Sequence, residues 1–319
     1  MKISLITPAK KYSRNGNRAT ALRWARILRG LGHHVEVSVK YDRGKADLMV
    51  ALHAWRSAES IKNYKNRYPD GPLLLALTGT DINSYIYSDS TPTINSMRSA
   101  DFLICLHDLV FEVIPEEFHK KLRIIYQSAL PLSQDRKPSK SHFEICVVGH
   151  LRDEKDPLRG AYALRGLPES SRLRLIHLGK AYNKAWERKA NTEMERNPRY
   201  IWKGEKTGWE VRKEFSKAHL MLISSIAEGG ANVVSEALVA RVPVVASMIN
   251  GNVGMLGKDY LGYFDVGDET SLRALLLKCE NDKSFMQTLV KSCEVRSRLF
   301  NLSEEERRWK ELLAEIATH

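Results

Sequence analysis

Residues 228–236 read Glu228-Gly229-Gly230-Ala231-Asn232-Val233-Val234-Ser235-Glu236. Two glutamates stand seven residues apart, and the stretch between them opens on two glycines and then turns apolar. A loop that becomes a helix near Asn232 places one carboxylate on each side of a helix N-terminus. Such an end offers unpaired N–H groups and a partial positive charge, which suit a phosphate. Glu236 lies four residues into that helix, about 6 Å along its axis. That spacing predicts one anchor on a diphosphate and another on the ribose of one nucleotide, with Glu228 left in the loop where a sugar would sit.

Around this segment, short β-branched runs alternate with helical patterns. Expected strands are 3–6, 35–39, 48–51, 73–77, 102–106 and 122–126, with helices at 19–30 and 57–66. This alternation predicts a parallel sheet covered on both faces. The polar, basic stretch Ser133–His142 reads as a linker. Beyond it the pattern restarts with strands at 143–148, 172–178, 200–202, 220–224 and 242–246, and with helices from Pro157, Lys184, Trp209 and Asn232. The expected fold class is α/β, with two Rossmann-like domains facing each other across a cleft. One domain is expected over residues 1–135 and one over 143–302. A terminal helix over 303–319, with Ser303 and Glu306 as a capping box, would pack back on the first domain. In open α/β sheets, ligands bind at the carboxyl ends of the strands.

The segment Gly149-His150-Leu151-Arg152-Asp153-Glu154-Lys155 follows the first strand of the second half. A glycine at a strand end lets backbone approach a ligand. Arg152 and Lys155 set two cations where a departing nucleoside diphosphate would gather negative charge. Local pairing with Asp153, Glu154 and Asp156 is the other reading of these cations.

The chain of 319 residues carries a net charge of +12 and 43% hydrophobic residues, enough to bury two cores. Its cations are scattered, without a long basic run or interleaved aromatics, which argues against nucleic acid as a partner. No apolar run is long enough to span a bilayer, so no integral membrane segment is expected. The short apolar run before Thr7-Pro8 reads as a first strand and not as a leader, which suggests a cytoplasmic protein. Cys105, Cys146, Cys279 and Cys293 form no CxxC pair and read as reduced thiols. No Asp-x-Asp follows a strand, so no metal or other cofactor is expected.

Taken together, Glu228–Glu236 and Gly149–Lys155 resemble the retaining glycosyltransferases of family 4, which have the GT-B fold. The resemblance implies that Glu236 binds the ribose and that Glu228 approaches the donor sugar. It further implies that the amides of Ala231 to Val233 hold the diphosphate, beside Gly229 and Gly230, and that Lys155 is the family lysine. His150 stands where the family has an arginine, and Arg152 is the candidate to replace it.

The resemblance narrows further over Asn15–Asn17, Arg23–Arg26, Leu77–Asp81, Tyr126–Ala129, Val148–Pro157, Glu228–Ala237 and Gly251–Gly257. As an ordered set these are similar to the selenosugar synthases of the selenoneine pathway. That similarity implies that selenophosphate and UDP-N-acetylglucosamine are the small-molecule substrates, with UDP and phosphate released.

The acceptor residues would come from the first half. Gly16 between Asn15 and Asn17 is a candidate anion loop, with Arg18 at the helix start; an ordinary strand–helix turn also accounts for it. His53 and Arg56 follow one strand, and Thr78-Gly79-Thr80-Asp81 ends another. His53, Arg152, Lys155 and Glu228 are the catalytic candidates. Two other functions fit the same fold: transfer to a hydroxyl acceptor, and epimerisation of the nucleotide sugar.

Overall fold

The computed structural model describes residues 1–13, 15–42 and 44–318. It divides into two compact units. The first holds Met1–Ser128, Glu228–Asn232 and Leu302–His319; the second holds Ala129–Ala227 and Val233–Asn301.

The first unit contains β1 (Lys2–Ile6), β2 (His34–Ser38), β3 (Leu48–Leu52), β4 (Leu73–Ala76), β5 (Phe102–Cys105) and β6 (Leu122–Ile124). All pair parallel, in the order β2-β1-β3-β4-β5-β6. Successive side chains point to opposite faces, so each strand feeds two cores. Ile3, Leu5, Leu48, Val50, Leu74 and Ile104 face the helix Gly16–Gly30 and the terminal helix, through Trp24, Leu28, Trp309 and Leu312. Ile6, Met49, Ala51, Leu73, Leu75 and Leu103 pack on the other side with Ile61, Tyr64, Met97 and Phe118. Continuous apolar runs such as Leu48–Leu52 are what a sheet covered on both faces requires.

The second unit contains β7 (Phe143–Val148), β8 (Leu173–Leu178), β9 (Tyr200–Trp202), β10 (Leu220–Ile223), β11 (Val244–Ser247) and β12 (Tyr263–Phe264). These are again all parallel, in the order β12-β11-β10-β7-β8-β9.

Several expected boundaries shift for local reasons. The first helix begins at Gly16, because the Asn15 side chain accepts the Arg18 amide and caps it. The strand expected from Val242 begins at Val244. The Val242 amide closes the preceding helix on Ala237 O at 2.8 Å, and Pro243 has no N–H to give. β12 is two residues long and left no apolar run to read. The terminal helix spans Leu302–Ala317, so Ser303 lies inside its first turn and the expected capping box does not form. Asn301, extended after the short 3₁₀ turn Arg298–Phe300, precedes it instead. The Ser133–His142 stretch is tied to the second unit: the amides of Lys137 and Ser139 bond Ser216 O and Lys217 O at 2.8 and 3.0 Å. Among the described residues, no helix is long and apolar enough to cross a membrane.

Candidate active site

In the first unit, four adjacent strands, β1, β3, β4 and β5, deliver their carboxyl ends side by side. Asn15–Arg18 opens the helix after β1. Gly16 and Asn17 lie at its start, and a Cβ on Gly16 would stand 3.6 Å from Asn232 Nδ2. Arg18 is 9% exposed, and its Nε is buried without a hydrogen-bond partner.

His53 follows β3 with φ of 73°, a left-handed conformation that is strained for a residue with a Cβ. Its Nδ1 accepts the Arg56 amide at 3.2 Å, so the ring proton sits on Nε2, which donates to Thr80 Oγ1 at 2.9 Å. Burial holds this imidazole below its ordinary pKa; the Asp81 charge opposes the shift and the Arg56 charge adds to it. The Arg56 side chain is exposed.

Asp81, fully buried, accepts the amides of Ala54, Thr78 and Gly79 at 3.0, 3.1 and 2.7 Å. Its carboxylate therefore shapes the loop after β4 and ties it to the loop after β3. Thr78 Oγ1 in that loop is buried with no partner.

The segment Glu228–Asn232, read from sequence with the second domain, packs within the first unit. Glycines explain this. A Cβ on Gly229 would lie 2.5 Å from both the Cα and the N of Gly79, and one on Gly230 would lie 2.5 Å from Leu106 Cβ. Gly79 and Gly230 have φ of 132° and 116°, which other residues rarely adopt. Backbone thus lies against backbone, and the Asn83 amide group donates to Glu228 O at 3.0 Å. Asn232 receives Arg23 Nη2 on its Oδ1 at 2.9 Å and donates to Thr20 Oγ1 at 3.3 Å. Sequence reading singled out Arg23 only as part of a resemblance, because its bond to a residue 209 positions away leaves no local signal.

The helix that begins at Asn232 runs to Val239, where the spacing predicted it. Ala231 is buried, and Val233 and Glu236 are half-buried.

In the second unit, Gly149 leaves β7 with its amide on Leu178 O at 2.9 Å, and its carbonyl accepts His177 Nε2 at 3.0 Å. His150 Nδ1 accepts the Lys180 amide at 3.1 Å, and burial lowers its pKa, with Glu205 opposing and the nearby cations adding. His150 is therefore neutral and supplies no charge in place of an arginine. Arg152 Nε lies 3.8 Å from Glu154, a half-exposed pair worth little. Lys155 closes a short 3₁₀ turn beside the end of β10: Ser224 Oγ donates to Lys155 O and Asp156 O at 3.2 and 2.8 Å. The Ile226 amide bonds Glu154 O at 3.0 Å. Gly149, Lys155, Ser224 and Ser225 also line a cavity of about 20 Å³, room for one water. Asn252, fully buried, gives its amide group to Ser247 and keeps Oδ1 without a partner.

Buried polar atoms are almost always satisfied. Among the described residues, those without a hydrogen-bond partner include Arg18 Nε, Thr78 Oγ1, His107 Nδ1, Arg152 Nε and Asn252 Oδ1. These five, of the ten such atoms among the described residues, follow strand carboxyl ends, where ligands of such sheets bind. No group of three His, Cys, Asp or Glu side chains suited to a metal occurs among the described residues.

Two parallel Rossmann-like sheets with these strand-end loops are the architecture of GT-B glycosyltransferases. The chain belongs to the family of glycosyl transferases group 1, whose model matches residues 132–294. Solved structures agree on the fold. Anabaena Alr3699/HepE, in complex with UDP and glucose, superposes with a TM-score of 0.77 at 15% identity, over 99% of this chain and 100% of that one. The sucrose-phosphate synthase of Thermosynechococcus elongatus gives 0.79 at 16% identity, over 99% of each chain. The pneumococcal O-GlcNAc transferase GtfA, in complex with UDP and GlcNAc, gives 0.67 at 16% identity, over 94% of this chain and 60% of that one. No curated protein sequence matches the chain.

Proposed function

We propose that this glycosyltransferase uses UDP-N-acetylglucosamine as donor and selenophosphate as acceptor. UDP in the HepE complex and UDP with GlcNAc in the GtfA complex support the donor class. On this reading Glu236 holds the ribose, the amides of Ala231 to Val233 hold the diphosphate, and Glu228 meets the sugar. Lys155 and Arg152 offset the charge that gathers on departing UDP, the more so because His150 is neutral.

The acceptor half rests on one observation: an arginine nine-tenths buried at the start of the first helix, with Nε buried and without a hydrogen-bond partner. A small multiply charged anion satisfies it, together with the Asn15–Asn17 loop and Thr78. Selenium attacks the anomeric carbon; the Se–C bond forms and the C–O bond to UDP breaks. Water then cleaves the P–Se bond, leaving phosphate and the selenosugar. Anionic selenium needs no strong base. His53 acts by orienting Thr80, to which it donates.

Incubation with both substrates and no added metal should give a selenosugar by mass spectrometry, with UDP and phosphate released in equal amounts. UDP release only with a hydroxyl acceptor would overturn the acceptor, and sugar inversion without any acceptor would overturn transfer itself.

A further inference from the structure

Three of the four adjacent strand ends in the first unit carry residues already considered. The fourth, after β5, carries His107, which the sequence pattern does not single out. It is 2% exposed, and Nδ1 has no hydrogen-bond partner. Burial keeps the ring neutral, against the pull of the Asp108 and Glu112 charges.

The residue before it fixes its neighbourhood. Leu106 is the wall against which Gly230 rests, a Cβ on Gly230 being barred by Leu106 Cβ at 2.5 Å. His107 thus follows directly on the contact that seats the Glu228–Gly230 segment. A structural histidine in a buried site finds partners for its ring nitrogens, as His177 does with Gly149 O and Tyr200 Oη, both at 3.0 Å. His107 Nδ1 has none among the described residues.

We infer that His107 is a specificity-determining residue whose Nδ1 hydrogen-bonds a hydroxyl of the transferred sugar, and this rests on the donor reading above. The chemistry selects a hydroxyl. A neutral imidazole matches a group that both donates and accepts, whereas a phosphate calls for a cation such as Arg18.

Calorimetry on the full chain tests this with UDP and UDP-N-acetylglucosamine as separate titrants, for wild type, His107→Leu and His107→Asn. The gain in affinity of the sugar nucleotide over UDP should fall about tenfold or more in His107→Leu, with UDP affinity unchanged. His107→Asn, which keeps a polar atom near Nδ1, should recover part of it. Because Nδ1 has no hydrogen-bond partner among the described residues, His107→Leu should melt no lower than wild type. An undiminished gain in His107→Leu overturns the inference alone. Equal losses for UDP and the sugar nucleotide, or a lower melting point without loss of the gain, assign a structural role and also overturn it. A wild type that binds neither titrant overturns the donor reading, and the inference with it.

Discussion

At Gly229 even a methyl group would collide with backbone, since its Cβ would stand 2.5 Å from the Cα and N of Gly79 and 2.6 Å from Thr78 C. Backbone cannot rotate aside as a flexible side chain can. Gly229→Ala should therefore push the Glu228 loop off the loop after β4, at about 1–3 kcal/mol of stability, and lower turnover more than a surface glycine substitution such as Gly208→Ala, where nothing lies within 4 Å. Thermal unfolding and donor turnover of the two variants check this; equal behaviour would refute it. The sequence placed the glycine pair beside the diphosphate only through the family resemblance. The pair's second role was not legible, because the residue it makes room for is Gly79, some 150 positions away. His53 teaches the same lesson. Its place after a strand was readable, but the tautomer that Arg56 and Thr80 impose on it depends on backbone geometry that no residue pattern encodes.

Among the elements, the terminal helix Leu302–Ala317 does more than fill a groove with Trp309, Leu312 and Ile316. Its Glu305, 1% exposed, accepts Trp24 Nε1 and the Ser128 amide, each at 2.8 Å, and Arg23 Nε at 3.3 Å; the Ser128 hydroxyl also donates to it. Arg23 in turn reaches Gln127 and Asn232, the first residue of the helix that carries Glu236. The buried carboxylate thus balances the guanidinium that holds Asn232. Removing it strands a charge and several donors, so Glu305→Ala should cost about 3–5 kcal/mol, measured by urea unfolding. Glu304→Ala is the control: its ion pairs with Arg307 and Arg308 are solvent-exposed and should cost little. Amphipathic spacing made this helix predictable. Which of its consecutive glutamates turns inward was not, because a cap reading suits Ser303-Glu304-Glu305-Glu306 equally well until Trp24 and Arg23 are in place.

Across the whole molecule, a buried neutral histidine with a strongly lowered pKa occurs in each unit. Burial takes His107 in the first unit to about 4, opposed by Asp108 and Glu112. It takes His177 in the second to about 4 as well, opposed by the bond to Gly149 O and reinforced by His150. In its neutral form His177 donates Nε2–H to Gly149 O and accepts the Tyr200 hydroxyl on Nδ1. An unfolded histidine takes up its proton near pH 6.5, while these folded ones resist until about pH 4. Between those values the unfolded chain binds more protons than the native one, so acid favours unfolding. The stability they contribute is fully present above pH 6.5 and is lost as pH falls towards 4, by about 3 kcal/mol for each histidine. Urea midpoints should therefore hold steady from pH 8 to 7 and drop between 6.5 and 4.5. His107→Leu should make that drop shallower in the first unit and leave the second unchanged, because its own histidine still titrates. A midpoint that does not move between pH 6.5 and 4.5 would mean that both rings are already charged in the native state, and the neutral hydroxyl-binding form of His107 would fall with it.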